Sequence, residues 1–238
     1  IWKPRGPQKK RPVVFYIHGG SLTTGQAWWE DYNGESYAKN DVIFVNFSYR
    51  LGALGFYADE NLASESPNGT TGMYGFLDQV KAIDWVRANI EKFGGDPDNI
   101  TIAGESAGSS SVNAMCTSPL AKGKFKYAIS ESSSITAKKP PHSYMDIKTA
   151  IKQGKSLRDE LGAKKPKDLR KISAEDIANT NTKYGTLNAM TNDGYALTKS
   201  PYESYMAGEN NEKALLTGYN KEDGDFFLLL ESKTDKDN

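Results

Sequence analysis

The sequence contains little cysteine and little histidine, with one cysteine and two histidines among its 238 residues. A single cysteine, Cys116, excludes an intrachain disulfide, and we expect it to be a small buried apolar residue. Net charge is also absent, because 30 Lys and Arg residues balance 30 Asp and Glu residues. A nucleic-acid-binding protein usually carries excess positive charge, so this balance disfavours that class of partner and favours a neutral or weakly charged small molecule.

Long apolar stretches are missing as well. No segment approaches the roughly 18–20 consecutive apolar residues that a membrane-spanning helix requires, so no membrane span is expected. The chain begins with Ile1 rather than Met, so the natural start is not visible and a removed signal peptide cannot be judged. Localisation is therefore left open, with a preference for the cytoplasm.

Five short runs rich in β-branched and aromatic residues predict strands at residues 12–17, 41–49, 99–103, 127–130 and 214–219. Between the second and third runs, apolar residues recur at near-helical spacing from 73 to 93, and Gly94-Gly95-Asp96-Pro97 forms a helix stop. Strands alternating with helices predict one α/β domain over residues 1–238, with a mostly parallel central sheet covered by helices on both faces.

Residues 138–190 differ in character from the rest of the chain. They are rich in Lys, Asp and Glu and begin with the Pro140-Pro141 break. We expect a helical insertion of short helices that packs on the sheet through a few apolar residues, namely Leu157, Leu161, Leu169, Ile172 and Ile177.

The clearest chemical signal is Gly104-Glu105-Ser106-Ala107-Gly108, which follows a predicted strand and precedes a stretch of small residues. A serine on a sharp strand-to-helix turn projects its hydroxyl from the sheet, and the flanking glycines relieve crowding there. The helix that follows favours developing negative charge at its N-terminus. The pattern predicts that Ser106 is a nucleophile.

A second signal is His18-Gly19-Gly20-Ser21-Leu22, directly after the first predicted strand. Small residues there let backbone N–H groups face an oxyanion, so we expect Gly20 and Ser21 to be donors and Ala107 to supply a third. Leu22, Trp28 and Trp29 follow this loop. In one interpretation, all three residues line a substrate pocket. In the other, the two tryptophans anchor the loop to the core.

Two further segments, Tyr49-Arg50-Leu51-Gly52-Ala53-Leu54-Gly55-Phe56 and the run 68–79, make a family resemblance specific. The chain resembles the type-B carboxylesterases, which include cholinesterases, juvenile-hormone esterases and bacterial p-nitrobenzyl esterases, and the bacterial members look closest. The resemblance covers residues 1–134 and 192–228. It implies an α/β-hydrolase fold and an ester hydrolase that needs no metal or other cofactor.

The resemblance also assigns roles to individual residues. It implies an oxyanion hole of Gly20, Ser21 and Ala107, where Ser21 departs from the usual glycine. It implies that Asp223, in the acidic turn that ends the segment 216–227, is the catalytic acid, in the order serine, acid, histidine of this fold. Glu222 is the second choice for the acid, and a solvated acidic turn is the alternative interpretation.

Three other positions take supporting roles by the same resemblance. Ser132 matches a serine that tends to support the acid by hydrogen bonding, although it could equally be an ordinary residue at a strand end. Arg50 and Glu105 match structural positions, so we expect both to be buried, paired charges.

The general base is missing from this pattern. Acyl transfer by a serine needs an imidazole to take its proton, yet His18 belongs to the oxyanion loop and His142 precedes the acid. In the family the histidine lies well after the acid, and only fifteen residues (238 minus 223) follow Asp223. We therefore expect a chain truncated at both ends, with a complementary segment or chain that completes the fold.

The sequence thus predicts a serine hydrolase that cleaves carboxylic esters through an acyl-enzyme. A lipase or amidase with the same residues is one alternative. A catalytically inactive binding or adhesion protein with this fold is another, and the retained Ser106, Ala107 and acidic turn favour an enzyme over it.

Overall fold

The computed structural model describes residues 1–7, 9–184 and 187–224, without the side chains of 182–184. The strands are β1 (Arg11–Ile17), β2 (Ile43–Asn46), β3 (Gly95–Glu105), β4 (Tyr127–Glu131), β5 (Tyr144–Met145), β6 (Met190–Thr191) and β7 (Ala214–Gly218). The helices are α1 (Glu35–Lys39), α2 (Gly52–Phe56), α3 (Glu60–Glu65), α4 (Tyr74–Asn89), α5 (Ala107–Thr117), α6 (Ile147–Glu160), α7 (Pro166–Leu169), α8 (Ala174–Tyr184) and α9 (Pro201–Met206). None of these helices is long and apolar enough to cross a membrane.

The five predicted strands are confirmed and form one sheet in the order β2-β1-β3-β4-β7. Every neighbouring pair in it is parallel. Strand β3 begins earlier than expected, at Gly95, and its pairing with β1 changes register between Arg11 and Val13. Because all five strands run in one direction, their carboxyl ends meet at the same edge of the sheet, as the ligand-binding edge of α/β proteins does.

One face of the sheet is packed by α4 and α5. Phe15, Ile17 and Ile102 of the sheet are fully buried in the same cluster as Phe76 and Ile83 of α4. Full burial of a side chain of this size contributes about 1.5–3 kcal/mol. The predicted helix over 73–93 is therefore confirmed, ending in a 3-10 turn (Ile90–Phe93) and a left-handed Gly94 with φ 87°.

The other face is covered unevenly. Near β1 and β2, Val14 and Phe44 are buried together, and Trp2 and Tyr37 of α1 pack against Phe44. Farther along the sheet, Leu216 of β7 is 67% exposed. Helices do lie on both faces, but on this second face the described residues cover β1, β2 and parts of β3 and β4 and leave Leu216 of β7 exposed.

The insertion over 138–190 does contain helices, α6 to α8, but its predicted packing on the sheet is wrong for them. Their apolar residues form a separate cluster with α2 and α3, built around Ala53, Tyr57 and Leu157. The helices α2 and α3 follow β2 and carry an apolar side that the insertion covers, which the sequence pattern did not reveal. Residues 185–186 of the predicted insertion and residues 225–238 lie outside the described residues.

A buried ion pair fastens the insertion to the rest of the domain. The Arg158 guanidinium of α6 donates to the Asp59 carboxylate, and their side chains are only 12% and 4% exposed. Asp59 also accepts from the Asn61 N–H at the start of α3 and from the Tyr57 hydroxyl. A second pair, Arg170 to Glu65 at 2.6 Å, is exposed.

We expect Arg158→Ala to lower the free energy of unfolding by about 3 kcal/mol, because it leaves the Asp59 carboxylate buried without its cation. Urea unfolding followed by circular dichroism measures this. Arg170→Ala, at the exposed pair, is the matched control and should leave the unfolding curve unchanged, since exposed pairs contribute little. Equal effects of the two substitutions would contradict the interpretation.

Candidate active site

Ser106 occupies the turn between β3 and α5, at the carboxyl edge of the sheet. Its backbone is strained, with φ 57° and ψ −122°, a conformation that an L residue adopts at a cost of about 1–3 kcal/mol. Its N–H donates to the Glu131 carbonyl at 2.9 Å, and its own carbonyl accepts from the Ser110 N–H at 2.9 Å. The residue is partly exposed, so the geometry matches the predicted strand-to-helix serine turn.

Backbone segments approach so closely on both sides of Ser106 that positions 104 and 108 require glycine. A Cβ at Gly108 would lie 2.1 Å from the Ile17 carbonyl oxygen, and a Cβ at Gly104 would lie 2.6 Å from the Gly108 carbonyl carbon. The N-terminus of α5 therefore lies directly against the ends of β1 and β3. No other residue type fits this contact without a backbone shift.

Helix α5 is held behind Ser106 by buried polar side chains that the sequence analysis did not identify. The Ser109 and Ser130 hydroxyls are 2.7 Å apart, and the Asn113 amide donates to the Ser130 hydroxyl at 2.6 Å. The Tyr205 hydroxyl of α9 donates to Asn113 Oδ1 at 3.0 Å. The signal in the sequence is the run of small polar residues directly after Ser106. The structure adds that all eleven residues of this helix are buried, so these polar groups need hydrogen-bond partners.

The predicted oxyanion loop contacts this serine turn. A Cβ at Gly19 would lie 3.3 Å from Ser106 Cβ, so the loop backbone lies against Ser106. Gly20, Ser21 and Leu22 all have left-handed φ values of 102°, 55° and 59°. They form a tight turn in which the Gly20 carbonyl accepts from the Thr23 and Thr24 N–H groups, both at 3.0 Å.

Ala107 is the first residue of α5 and is 2% exposed. The first N–H groups of a helix have no partner within that helix, and they lie at its positive end. The structure thus brings Ser106, Ala107 and the Gly19 backbone close together. The assignment of Gly20, Ser21 and Ala107 as oxyanion donors remains a prediction.

The three residues proposed for a substrate pocket do not group with Ser106. Leu22 is fully buried in the core, so its side chain cannot face a ligand. Trp28 and Trp29 are 73% and 38% exposed and line a shallow cavity of about 300 Å³ that also contacts Trp2. This cavity lies beside β2, and the predicted catalytic residues do not line it. The sequence alone could not show whether these residues line a substrate pocket or pack elsewhere. Residues that follow the loop in sequence can lie on either side of it in the fold.

Asp223 lies in the turn after β7, and β7 is two strands from β3 in the sheet. The turn is local: the Asp223 N–H donates to the Asn220 carbonyl at 3.3 Å. Partial burial, then the charge of Asp223 and then that of Glu131, raises the pKa of Glu105, which places Asp223 electrostatically close to the residue before Ser106. Glu222 is exposed and is not among these charges.

Ser132 joins the acid turn to the rest of the site through its backbone. It has a left-handed φ of 59°, and its N–H donates to the Gly218 carbonyl at 2.8 Å, at the end of β7. Among the described residues, no hydrogen bond joins its hydroxyl to Asp223. The backbone of Ser132 is therefore bonded to the end of β7, the strand that precedes Asp223, and its predicted support of Asp223 by hydrogen bonding stays a prediction.

The two expected buried charges are exposed. Arg50 pairs with Asp78 through two hydrogen bonds of 2.7 Å, as predicted for a paired charge, but its side chain is 53% exposed. Glu105 is exposed and has no ion pair within the described ranges. Partial burial first, and then its like-charged neighbours, raise the pKa of Glu105. Charge type and position in a motif do not report on solvent access, which depends on the surrounding chain.

His18 is a structural residue of the loop. It is 1% exposed, its ring stacks on Tyr49 with centroids 4.4 Å apart, and its Nδ1 donates to the Gly19 carbonyl at 2.9 Å. The Tyr49 hydroxyl in turn donates to the His18 carbonyl at 2.8 Å. Burial lowers the pKa of the imidazole, so the ring is neutral near pH 7.

His142 lies in the exposed segment that leads into the insertion. Its Nδ1 is 3.3 Å from the Ser134 hydroxyl and 3.4 Å from the Ser143 hydroxyl. The structure therefore associates this imidazole with serines other than Ser106. Within residues 1–7, 9–184 and 187–224, no group of three or more His, Cys, Asp or Glu side chains could hold a metal ion.

A parallel sheet, a strained serine at the turn into a buried helix and a glycine loop against that serine together define the α/β-hydrolase fold. A family model described as the carboxylesterase family matches residues 1–238. The chain belongs to the carboxylesterase family, and the fold and family predicted from its motifs are confirmed.

Individual relatives agree with this assignment. The chain is 34% identical to the fumonisin B1 esterase of Sphingopyxis macrogoltabida over 95% of its own length and 42% of that protein. It is 32% identical to the para-nitrobenzyl esterase of Bacillus subtilis over 98% of its length and 48% of that protein. A Geobacillus stearothermophilus carboxylesterase structure superposes with a TM-score of 0.87 at 33% identity, covering 98% of this chain and 50% of that one. The chain thus spans about half the length of these relatives.

We expect Gly108→Ala to destabilise the protein by about 2 kcal/mol or more, because the added methyl group forces the ends of β1 and α5 apart. Chemical denaturation measures the change. Gly218→Ala is the matched control, since a Cβ there meets nothing within 4 Å. A Gly108→Ala protein as stable as the control would show that the contact with Ile17 is not tight.

The lowered pKa of His18 predicts a specific pH dependence. The unfolded chain, with the ordinary pKa near 6.5, binds this proton more readily than the folded chain does. The stability from neutral His18 is therefore full above pH 6.5 and is lost as the pH falls below that value. We expect the difference in free energy of unfolding between pH 7 and pH 5, measured by urea unfolding at each pH, to be smaller in His18→Gln than in the wild type. An unchanged difference would contradict the lowered pKa of His18.

Proposed function

We propose that the protein is a carboxylic ester hydrolase that works through an acyl-enzyme on Ser106. The observation that carries the proposal is the strained backbone of Ser106 at the partly exposed turn between β3 and α5, with the Gly19–Gly20 loop against it. Strain at a single surface serine persists when the surrounding structure enforces it, as at a functional site. Membership of the carboxylesterase family supports the same reaction.

In this reaction the Ser106 oxygen attacks the ester carbonyl carbon, and the serine proton passes to an imidazole base. The carbonyl oxygen becomes an oxyanion, which accepts hydrogen bonds from the N–H groups of Gly20, Ser21 and Ala107. The bond to the alcohol then breaks, and the imidazolium gives its proton to the leaving alcohol. Water attacks the acyl-enzyme by the same route, which releases the carboxylic acid and restores Ser106.

Asp223 is the proposed acid that orients and stabilises the imidazolium. Its turn follows β7, and its charge already acts on Glu105, the neighbour of Ser106. A histidine between Ser106 and Asp223 would complete the group. Three nearby carboxylates, Glu105, Glu131 and Asp223, would favour the protonated form of that imidazole.

Neither histidine of the chain suits this role, since His18 is buried in the loop and His142 faces Ser134. We therefore infer that the base comes from polypeptide outside these 238 residues, as part of a segment or chain that completes the fold. The fact that the chain covers only 42–50% of three relatives supports this inference.

The proposed substrate is a neutral small-molecule ester. The zero formal net charge of the chain supports a neutral substrate, and its similarity to a fumonisin B1 esterase and a para-nitrobenzyl esterase supports an ester. No observation favours a lipid, an amide or a purely binding role over an ester.

A fluorophosphonate probe should label the full-length protein, and Ser106→Ala should abolish labelling and reduce hydrolysis of p-nitrophenyl esters to background. Asp223→Asn should lower kcat by a factor of about 10²–10⁴ with little change in KM, because it acts on the base and not on substrate binding. Labelling is followed by gel fluorescence and hydrolysis by absorbance.

Three variants serve as controls. Ser134→Ala and Glu222→Gln should retain wild-type labelling, since these residues lie outside the proposed machinery. His142→Ala should also retain it. A loss of labelling in His142→Ala would make that residue the base, and a full-length protein that is never labelled would favour a binding protein over an enzyme.

A further inference from the structure

A large cleft separates the insertion from the helices that follow β2. One wall consists of α2 and α3, and the other consists of α6, α7 and α8. The two walls are in contact through the apolar cluster of Ala53, Tyr57 and Leu157. Its volume is about 660 Å³. Small-molecule sites typically occupy about 300–1,000 Å³, so the cleft is large enough for one such ligand.

The two walls face each other with apolar side chains. The first wall contributes Leu54, which is 45% exposed, and Leu62. The second wall contributes Leu161, Leu169, Ile172 and Ile177. These leucines and isoleucines are only partly buried, so a ligand between them would remove apolar surface from water.

The charged groups of the cleft are already neutralised in pairs. The Arg50 guanidinium donates to both oxygens of Asp78 at 2.7 Å, and Arg170 donates to Glu65 at 2.6 Å. Each guanidinium is therefore already paired with a carboxylate, and Glu65 with a cation. A charged ligand would compete with these pairs and would lose part of its hydration.

The hydroxyl groups of the cleft are also paired. The Tyr74 hydroxyl is 3.1 Å from the Thr71 hydroxyl, and the Tyr57 hydroxyl donates to Asp59 at 3.1 Å. The cleft thus offers apolar contact, and its polar groups are occupied with one another. Its chemistry matches a neutral, predominantly apolar molecule.

We propose that this cleft is a second binding site, which takes a neutral apolar small molecule such as an aromatic hydrocarbon or an uncharged lipid-like compound. Ser106, Asp223, Gly20, Ser21 and Ala107 do not line it, so it differs from the proposed ester site. A bound molecule would bridge α2–α3 and α6–α8, and it would stabilise the insertion against separation from the rest of the domain.

The test uses two fluorescent probes that differ by one charged group. N-phenyl-1-naphthylamine is neutral, and 1-anilinonaphthalene-8-sulfonate carries a sulfonate on the same framework. The purified protein should bind the neutral probe with one-to-one stoichiometry and at least tenfold more tightly than the anionic one. The neutral probe should also raise the thermal melting temperature.

Substitution of an exposed lining residue locates the site. Ala174→Trp, at the first residue of α8, fills the cleft and should weaken binding of the neutral probe at least tenfold. Asn179→Trp places the same side chain on the same helix at an exposed position outside the cleft, and it should bind the probe within about twofold of the wild type.

Several outcomes would overturn the proposal. Unchanged probe binding in Ala174→Trp would place the probe elsewhere, and equal affinity for the two probes would contradict the neutral chemistry. A wild-type dimer that Ala174→Trp converts to a monomer in sedimentation would show that a second copy occupies the cleft. Fluorophosphonate labelling of Ser106 should be unaffected in both variants, so failure of the ester-hydrolase proposal would be seen separately.

Discussion

The structure depends on one close contact, the approach of the N-terminus of α5 to the carboxyl ends of β1 and β3. Only glycine at 104 and 108 allows it, because a Cβ at Gly108 would lie 2.1 Å from the Ile17 carbonyl oxygen. The contact accompanies the strained conformation of Ser106, and the backbone of Gly19 lies against the same turn. Buried hydrogen bonds from Asn113 and Ser130 stabilise the helix in this position.

The electrostatics of the site follow from the same arrangement. Parallel strands bring Glu105 and Glu131 to adjacent positions at the sheet edge, and the turn after β7 adds Asp223. The neutral, buried His18 contributes no positive charge to this edge. Three carboxylates thus lie at this edge of the sheet, and the charges of Asp223 and Glu131 act on Glu105, the residue before Ser106.

The insertion adds a second structural unit to this framework. It is joined to α2 and α3 by its own apolar cluster and by the buried Arg158–Asp59 pair. This separate attachment explains how a polar segment with few apolar residues can form ordered helices, because it packs on helices and needs no large sheet face. It also creates the cleft, whose walls belong to two distant parts of the chain.

The sequence by itself determined the local elements and the chemistry of individual positions. The runs of β-branched residues identified all five strands of the main sheet, and the glycines around Ser106 identified the serine turn, because both patterns arise from interactions between near neighbours in the chain. Resemblance in motif residues was enough to identify the family.

Only the tertiary structure decided which residues meet across the fold. It buried Leu22, exposed Trp28 and Glu105, moved the insertion from the sheet to α2 and α3, and surrounded α5 with polar partners from β4 and α9. These outcomes depend on contacts between residues far apart in sequence, and burial is a property of all the surrounding chain. A local sequence pattern carries no information about those contacts, so only the folded structure shows them.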